Sequence, residues 1–447
     1  MTHRISQTRL DFHPSKPVDV RFDVPQLSSD AGGLLLRQVD DRLGLTKHFA
    51  ALLPDDRNPN KVVHDRLEQL RQRVYSLCLG YQDTNDAHHT RHDPIIKLSC
   101  DASPDHDGLS SQPTLSRFDN AFGFDTVRVL IDALETTYIQ SLPSTTDTLI
   151  LDIDGTADPV HGQQELAFFH AYHDERIYLP LCIFDQHGQL VTVILRPGNV
   201  HDSRCSRYLL DRLICRLKTR LPDLDIIVRG DSHFAMPANM DLLEDLNERF
   251  GGIHYVLGLA KNARLKSLAQ AANKKARIEY ECRDKPHRVI DEVRYAARTW
   301  RTCRRIIIRA EHSRWGENPR FVVTNIEHWS AAWLYEGYCQ RGQAENWIKD
   351  LKTGLFAERL SCSRFVANFV RLMWCAVAYR LMHAVRKELE KAHPGEGKRR
   401  FETVRLRYLK VGALVVESAR RVLVRLPQNY GWRRTFKLVL AGMGRSP

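Results

Sequence analysis

The sequence predicts a mixed α/β fold in which one sheet combines an antiparallel meander with parallel strands. A β-rich insertion interrupts this core, and helical N- and C-terminal regions flank it. Three observations carry the prediction. The apolar run TLILDID (148–154) reads as a buried strand, and RIYLPLCIFDQHGQLVTVILRPGN (176–199) reads as two more strands joined by the turn DQHGQ. DIIVRGD (225–231) and IHYVLGLA (253–260) are further strands, each preceded by apolar positions at helical spacing, around 205–220 and 236–249. Before them, AGGLLLRQVDDRLGL, HDRLEQLRQRVYSLCLGY and LSRFDNAFGFDTVRVLIDALETTYIQ repeat their apolar residues at helical intervals.

These signals divide the chain into five parts. Residues 1–145 form a helical N-terminal region after an extended start, and SLPSTTDT ends it. The first part of the core covers 146–260. Strand-like runs ARIEYECR, RVIDEVRYAA, CRRIIIRAE and RFVVTNI make 261–325 the β-rich insertion. The second part of the core, 326–392, contains a signature helix and a long apolar helix at 364–390. A basic, helical C-terminal region occupies 393–447, with KAHPGEGKRR as the flexible connection.

Charge narrows the partner. The net charge is +12, and Ser361–Pro447 alone holds 19 Lys and Arg against 5 Glu and no Asp. Such a balance favours a polyanion, either nucleic acid or an anionic membrane surface. The stretch MTHRISQTRLDFHPSK lacks the apolar core of a signal peptide, and the most apolar helix carries Arg371 and Arg380, which argues against a membrane span. Ten cysteines without a C-x-x-C pair or regular spacing exclude a zinc ribbon and a disulfide framework, and read as reduced, mostly buried thiols. A cytoplasmic protein in contact with DNA is the simplest placement.

The stretch YCQRGQAENWIKDLK (338–352) carries the chemistry. At roughly 100° per residue, Tyr338, Arg341, Glu345 and Lys352 project within about 60° of one another on a helix. Trp347, Ile348, Leu351 and Leu355 form the adjoining apolar stripe. A carboxylate flanked by cations suits phosphate chemistry; a solvated face with an incidental ion pair is the alternative. Asp154 and Asp231 each end a strand, where a side chain can face a cleft. If those strands are neighbours, the two carboxylates converge and Glu345 supplies a third. Three acids repel one another, and the arrangement suits one or two Mg²⁺ ions, which prefer oxygen ligands.

The order Asp154, Asp231, Glu345, with VRGDSHFA around the second acid and Tyr-x2-Arg-x3-Glu-x6-Lys around the third, resembles the DDE transposases of bacterial insertion sequences. It is most similar to the subgroup with a β-strand insertion and a Tyr-Arg-Glu-Lys signature helix. LDIDGTADPVHGQQE, RPGNVHDSR, DAGGLLLRQVD and GYQDTNDAHHTRHDP extend the resemblance over most of the chain. The resemblance implies an RNase H-like catalytic core and metal-dependent cleavage and strand transfer at terminal inverted repeats. Asp154, Asp231 and Glu345 would be the catalytic residues and the ligands of Mg²⁺ or Mn²⁺, two ions in all. Tyr338, Arg341 and Lys352 would bind the DNA backbone beside the cut. The partners implied are double-stranded DNA, as transposon ends recognised by the helical region 1–145, where a helix-turn-helix is expected, and as target, and a second copy of the chain in a homodimeric synaptic complex, with no membrane. One departure concerns relatives that stack a flipped base on a Trp at the start of the strand before the signature helix. Here that strand begins Arg320-Phe321; Trp315 and Phe321 read as core or loop aromatics, with a substitute stacking platform as the alternative, so the resemblance does not extend to a hairpin intermediate.

Two rival readings remain open. LDIDGT also fits the D-x-D-G-T loop of haloacid-dehalogenase-type phosphatases, with Asp152 as nucleophile, although a hairpin rather than a crossover helix follows it. A catalytically silent DNA-binding remnant would use the basic tail equally well, but would not need the acidic triad. His88, His89 and His92 read as surface or DNA-facing residues, and His161 and His201 are candidates to support the site from behind.

Overall fold

The computed structural model describes residues 8–201 and 203–443. The first seven residues of the N-terminal stretch, Asp202 of RPGNVHDSR and the last four residues of the basic tail lie outside them. The chain separates into two compact units: Met1–Lys47 with Arg57–Ser116 and Ala384–Pro447, and His48–Asp56 with Arg117–His383. Most of the helical N-terminal region and the basic C-terminal region, far apart in sequence, thus share one unit, whereas the N-terminal region's last helix, Phe124–Ser141, belongs to the other.

The second unit is built on a nine-stranded sheet. Its strands are β1 (Thr148–Gly155), β5 (Leu181–Asp185), β6 (Leu190–Ile194), β7 (Asp225–Gly230), β8 (Ile253–Leu259), β9 (His287–Tyr295), β10 (Arg304–Ser313) and β11 (Arg320–Thr324), with Gly316–Glu317 paired to β10. The order is β9-β10-β11-β8-β7-β1-β5-β6. Strand β7 runs parallel to both β1 and β8; the other pairs are antiparallel. Helices α1 (Ser206–Arg220) and α2 (Pro237–Phe250) make the crossovers that parallel neighbours require. Their buried Leu209, Leu213, Leu217, Leu243 and Leu246 pack with Leu149, Leu151, Ile226 and Val228 of the sheet in one core.

Expectations for three segments need correction. RIYLPLCIF is not one strand: it is divided at Leu179-Pro180, so that β4 (Glu175–Tyr178) leaves the main sheet and pairs with β2 (Asp158–Pro159) and β3 (Phe168–His170) in a small separate sheet. ARIEYECR is helical, within α3 (Gln270–Arg283). Its two-residue alternation mimics a strand, but burial falls on Ala272 and Ala276, one helical turn apart, which pack with Val289 and Ala310. The remaining strands of 261–325 join the central sheet through β11. The C-terminal region is only partly helical. Ala413–Ser418 and Arg421–Arg425 form a hairpin that also pairs with Leu27–Ser28, before the helix Arg433–Met443.

The first unit brings the motifs DAGG and GYQD together. Asp30 of DAGG, fully buried, accepts from Tyr81 Oη of GYQD at 2.7 Å and from Lys410 Nζ at 2.6 Å. Gly32 lies against the backbone of Leu409, where an added Cβ would stand 2.2 Å from its Cα. The apolar helix Phe365–Ala392 is long enough to cross a membrane by length and composition, yet it is buried within the protein. Its Trp374 stacks on Phe118 with ring centroids 5.5 Å apart. The cysteines are free, but not mostly buried: Cys205, Cys282, Cys303 and Cys339 are exposed.

Candidate functional site

Adjacent parallel strands place two acids side by side. Ile153 is in register with Gly230, so Asp154, near the end of β1, and Asp231, just past the end of β7, share one edge of the sheet. Asp154 is buried, and its Oδ1 accepts from the backbone N–H of Gly155 at 3.0 Å. Asp231 is more open. Its Oδ1 accepts from the backbone N–H of His233 at 2.9 Å, and its Oδ2 lies 3.0 Å from Nδ1 of the same residue.

The signature segment supplies the rest, on two helices rather than one. Helix α4 (Ala331–Cys339) ends just after Tyr338, and α5 (Gly342–Leu355) begins just after Arg341. Gln340 and Arg341 keep right-handed helical angles, but bonding tightens to three-residue steps, Arg341 N to Tyr338 O at 3.0 Å and Ala344 N to Arg341 O at 2.8 Å. Ala344, Ile348, Leu351 and Leu355 are the buried face of α5. Trp347 is half-buried against Phe184, and Gly188, at φ +75°, is closely approached by its indole: an added Cβ would stand 2.5 Å from Nε1. That packing turns Glu345 outward, its side chain 73 % exposed.

The Arg341 guanidinium lies among all three acids: 3.8 Å from Asp154 Oδ2, 4.0 Å from Asp231 Oδ2 and 3.9 Å from Glu345 Oε1. One cation faces three anions. Burial, opposed by Arg341 and reinforced by Asp231 and Glu345, pushes the Asp154 carboxyl up to about 7. Among the described residues, no group of three or more His, Cys, Asp or Glu is gathered closely enough to hold a metal ion. The donor set nevertheless suits a hard divalent cation in kind, because three carboxylates offer only oxygen ligands around one positive charge.

The flanking residues have different positions. Tyr338 is held against the end of β8 by Gly258, where an added Cβ would meet its Oη at 2.5 Å and the Ser232 backbone nitrogen at 3.2 Å. Lys352 does not stand free on the helix face. Its Nζ donates to the Ala157 carbonyl at 2.5 Å and lies 3.2 Å from Asp158 Oδ1, tying down the segment that follows β1. Burial pushes the Asp158 carboxyl up to about 7 despite this lysine. Asp152 is accounted for structurally. Both its oxygens accept from Arg229 at 2.7 Å, and Arg229 also donates to the Gly337 carbonyl at 2.6 Å, so the pair anchors α4. His88, His89 and His92 belong to the other unit, away in sequence from any of these groups.

Two clefts flank the acids, and sequence reasoning missed much of their linings. One, of about 460 Å³, runs beside Asp154 and Asp231 and is lined by His170, Tyr172, His173 and His233. The small β2-β3-β4 sheet, unanticipated, puts the first three of these there. The other, of about 480 Å³, runs beside Asp231 and is lined by Lys261, Arg309, Arg320, Tyr338 and Arg341. Tyr338 and Arg341 come from the signature segment, but no motif announces Lys261, Arg309 and Arg320, which lie past the end of β8, within β10 and at the start of β11.

With that geometry in place, comparison is decisive for the family. The profile of the transposase DDE domain group 1 family matches residues 11–447. The chain belongs to this family. Membership implies a polynucleotidyl-transferase-type enzyme, of a class that generally uses divalent metals. No curated protein matches the chain. Among solved structures, it is similar to a piggyBac transposase, determined by cryo-electron microscopy as a synaptic complex with hairpin DNA. The identity is 12 % and the TM-score 0.44, over 92 % of this chain and 82 % of that one.

Proposed function

We propose that this member of the DDE transposase family is the transposase of a bacterial insertion sequence. On this reading the helical region 1–145 recognises the terminal inverted repeats of its element, and an RNase H-like core cleaves DNA strands and joins the exposed 3′-hydroxyl to target DNA. Two copies would act together at paired ends. The supporting observation is the meeting of Asp154, Asp231 and Glu345, from two strand ends and a helix, around the single guanidinium of Arg341.

Asp154, Asp231 and Glu345 would hold Mg²⁺ or Mn²⁺. When bound, such ions activate a water or 3′-hydroxyl and stabilise the leaving oxygen of an in-line displacement. The chain's own groups do the rest. Arg341 presents a planar fork suited to two non-bridging oxygens of a phosphodiester. Tyr338 offers a hydroxyl at the mouth of the cleft beside Asp231. Lys352 acts through the segment it ties down, keeping the backbone after Asp154 in place. Exposed Glu345 can swing toward an incoming cation, whereas buried Asp154 cannot, so Asp154 would be the fixed ligand of the set and Glu345 the adjustable one.

The test is cleavage of a labelled duplex made from the DNA flanking the gene, with Mg²⁺ or with EDTA, by wild type and Asp231→Asn. Metal-dependent cuts at a repeat boundary, absent from the variant, are expected. Tight binding without cutting by either protein would favour a silent DNA-binding remnant.

A further inference from the structure

We propose that the cleft beside Asp231 is a subsite for the phosphodiester backbone of one DNA strand, with Lys261 and Arg320 as its charged contacts. The proposal rests on the strand-cleavage reading above and gives the strand a direction of approach to the acids.

Three observations carry it. First, strands β10 and β11 are in register with Arg309 directly opposite Arg320. Like charges facing each other across an antiparallel pair oppose sheet pairing, so a fold gains nothing from this arrangement by itself. Second, the charges are unequally answered. Arg309 is turned inward to Glu311 and over the Tyr335 ring, 5.7 Å from its centroid. Arg320 is exposed and, among the described residues, has no acidic partner. Lys261, likewise exposed, donates to the neutral Asn318 Oδ1 at 2.9 Å. Burial and then the neighbouring Arg320, Lys266 and Arg309 lower the affinity of that ammonium for its proton. Third, the cleft leads to the chemistry. Asp231 is the one acid in its lining, 4.0 Å from Arg341, and both share the lining with Tyr338. At about 480 Å³ the cleft lies within the size range of built ligand sites.

An anion that neutralises this cluster and continues toward the acids is a strand of nucleic acid, whose phosphates recur at fixed intervals. Free phosphate would satisfy the charge but not the continuity.

The test compares wild type with Lys261→Ala/Arg320→Ala, two exposed positions whose replacement leaves the core intact. Binding to the duplex made from DNA flanking the gene is measured across a salt series, and again with single methylphosphonates, which remove one phosphate charge at a time, placed along both strands around the cut. The slope of log affinity against log salt should fall by about two in the double variant, at roughly 0.9 for each phosphate that is no longer neutralised. One or two methylphosphonates on one side of the cut should weaken wild-type binding by about fivefold to tenfold and leave the variant unaffected. An unchanged slope and an unchanged methylphosphonate profile, with wild type binding and cutting normally, would overturn the subsite alone. Failure of wild type to bind any such duplex would overturn both this proposal and the reading beneath it.

Discussion

Asp152 and Asp154 stand two residues apart on one strand, so they face the same side of the sheet, yet their environments are opposite. Asp152 is fully buried and closed by one arginine that meets both its oxygens at 2.7 Å. Asp154 shares a single arginine with two other acids, at 3.8 to 4.0 Å, outside hydrogen-bonding distance. The first arrangement is complete and holds α4 to the sheet through the Gly337 carbonyl. The second carries excess negative charge and a carboxyl pushed up to about 7. A balanced buried pair is a fastening; an unbalanced cluster at a strand end is a place prepared for something else.

Four substitutions would break or sharpen that contrast. The largest effect should come from Glu345→Gln, which removes a ligand charge from the open cluster: strand cutting should fall by about a thousandfold or more while duplex binding stays within about twofold. A gel that resolves bound from cleaved DNA reads both, and normal cutting would remove Glu345 from the site. Next is the closed pair. Arg229→Ala leaves Asp152 buried without its partner and should cost about 3 to 5 kcal/mol in urea unfolding, as breaking a buried pair typically does.

Asp154→Asn should act in the opposite direction. A carboxyl raised from its ordinary value to about 7 binds its proton more tightly folded than unfolded, so the protein loses stability as pH rises from about 4 through about 7. Without divalent metal, the Asn variant should therefore exceed wild type in stability at pH 8, by no more than about 4 kcal/mol, and match it at pH 4. Urea midpoints at the two pH values decide the sign. Smallest should be Lys352→Ala, which frees the segment after β1 and strips Asp158 of its cation. We expect a loss of about 1 to 3 kcal/mol together with weaker cutting. An unchanged unfolding midpoint would return Lys352 to a role on the helix surface.

Much of this site was legible because it depends on local rules. TLILDID and DIIVRGD are short apolar runs ending in acids, and a strand end is where a side chain leaves the sheet. The spacing of Tyr338, Arg341 and Glu345 likewise brought the guanidinium to the carboxylate. What escaped depends on tertiary context. Nothing local tells Lys352 that Asp158 will be folded against it. ARIEYECR alternates like a strand, and only the packing of Ala272 and Ala276 makes it a helix. The C-terminal hairpin was hidden by basic residues, although ALVVES and RVLVR, rich in β-branched residues on either side of Ala419-Arg420, were a usable strand signal. The cationic cleft is only partly signalled: Tyr338 and Arg341 come from the signature segment, but register alone sets Arg309 against Arg320.

The central claim is that Asp154, Asp231 and Glu345 together form one divalent-cation site, and iron-directed cleavage of the polypeptide tests it without relying on DNA. Fe²⁺ replaces Mg²⁺, and ascorbate with peroxide then generates radicals that cut the chain near the bound ion. The account predicts cuts near residues 154, 231 and 345, suppressed by excess Mg²⁺ and lost in Asp231→Asn. Cuts confined elsewhere, such as near His170 and His173, or a pattern unchanged in the variant, would contradict it.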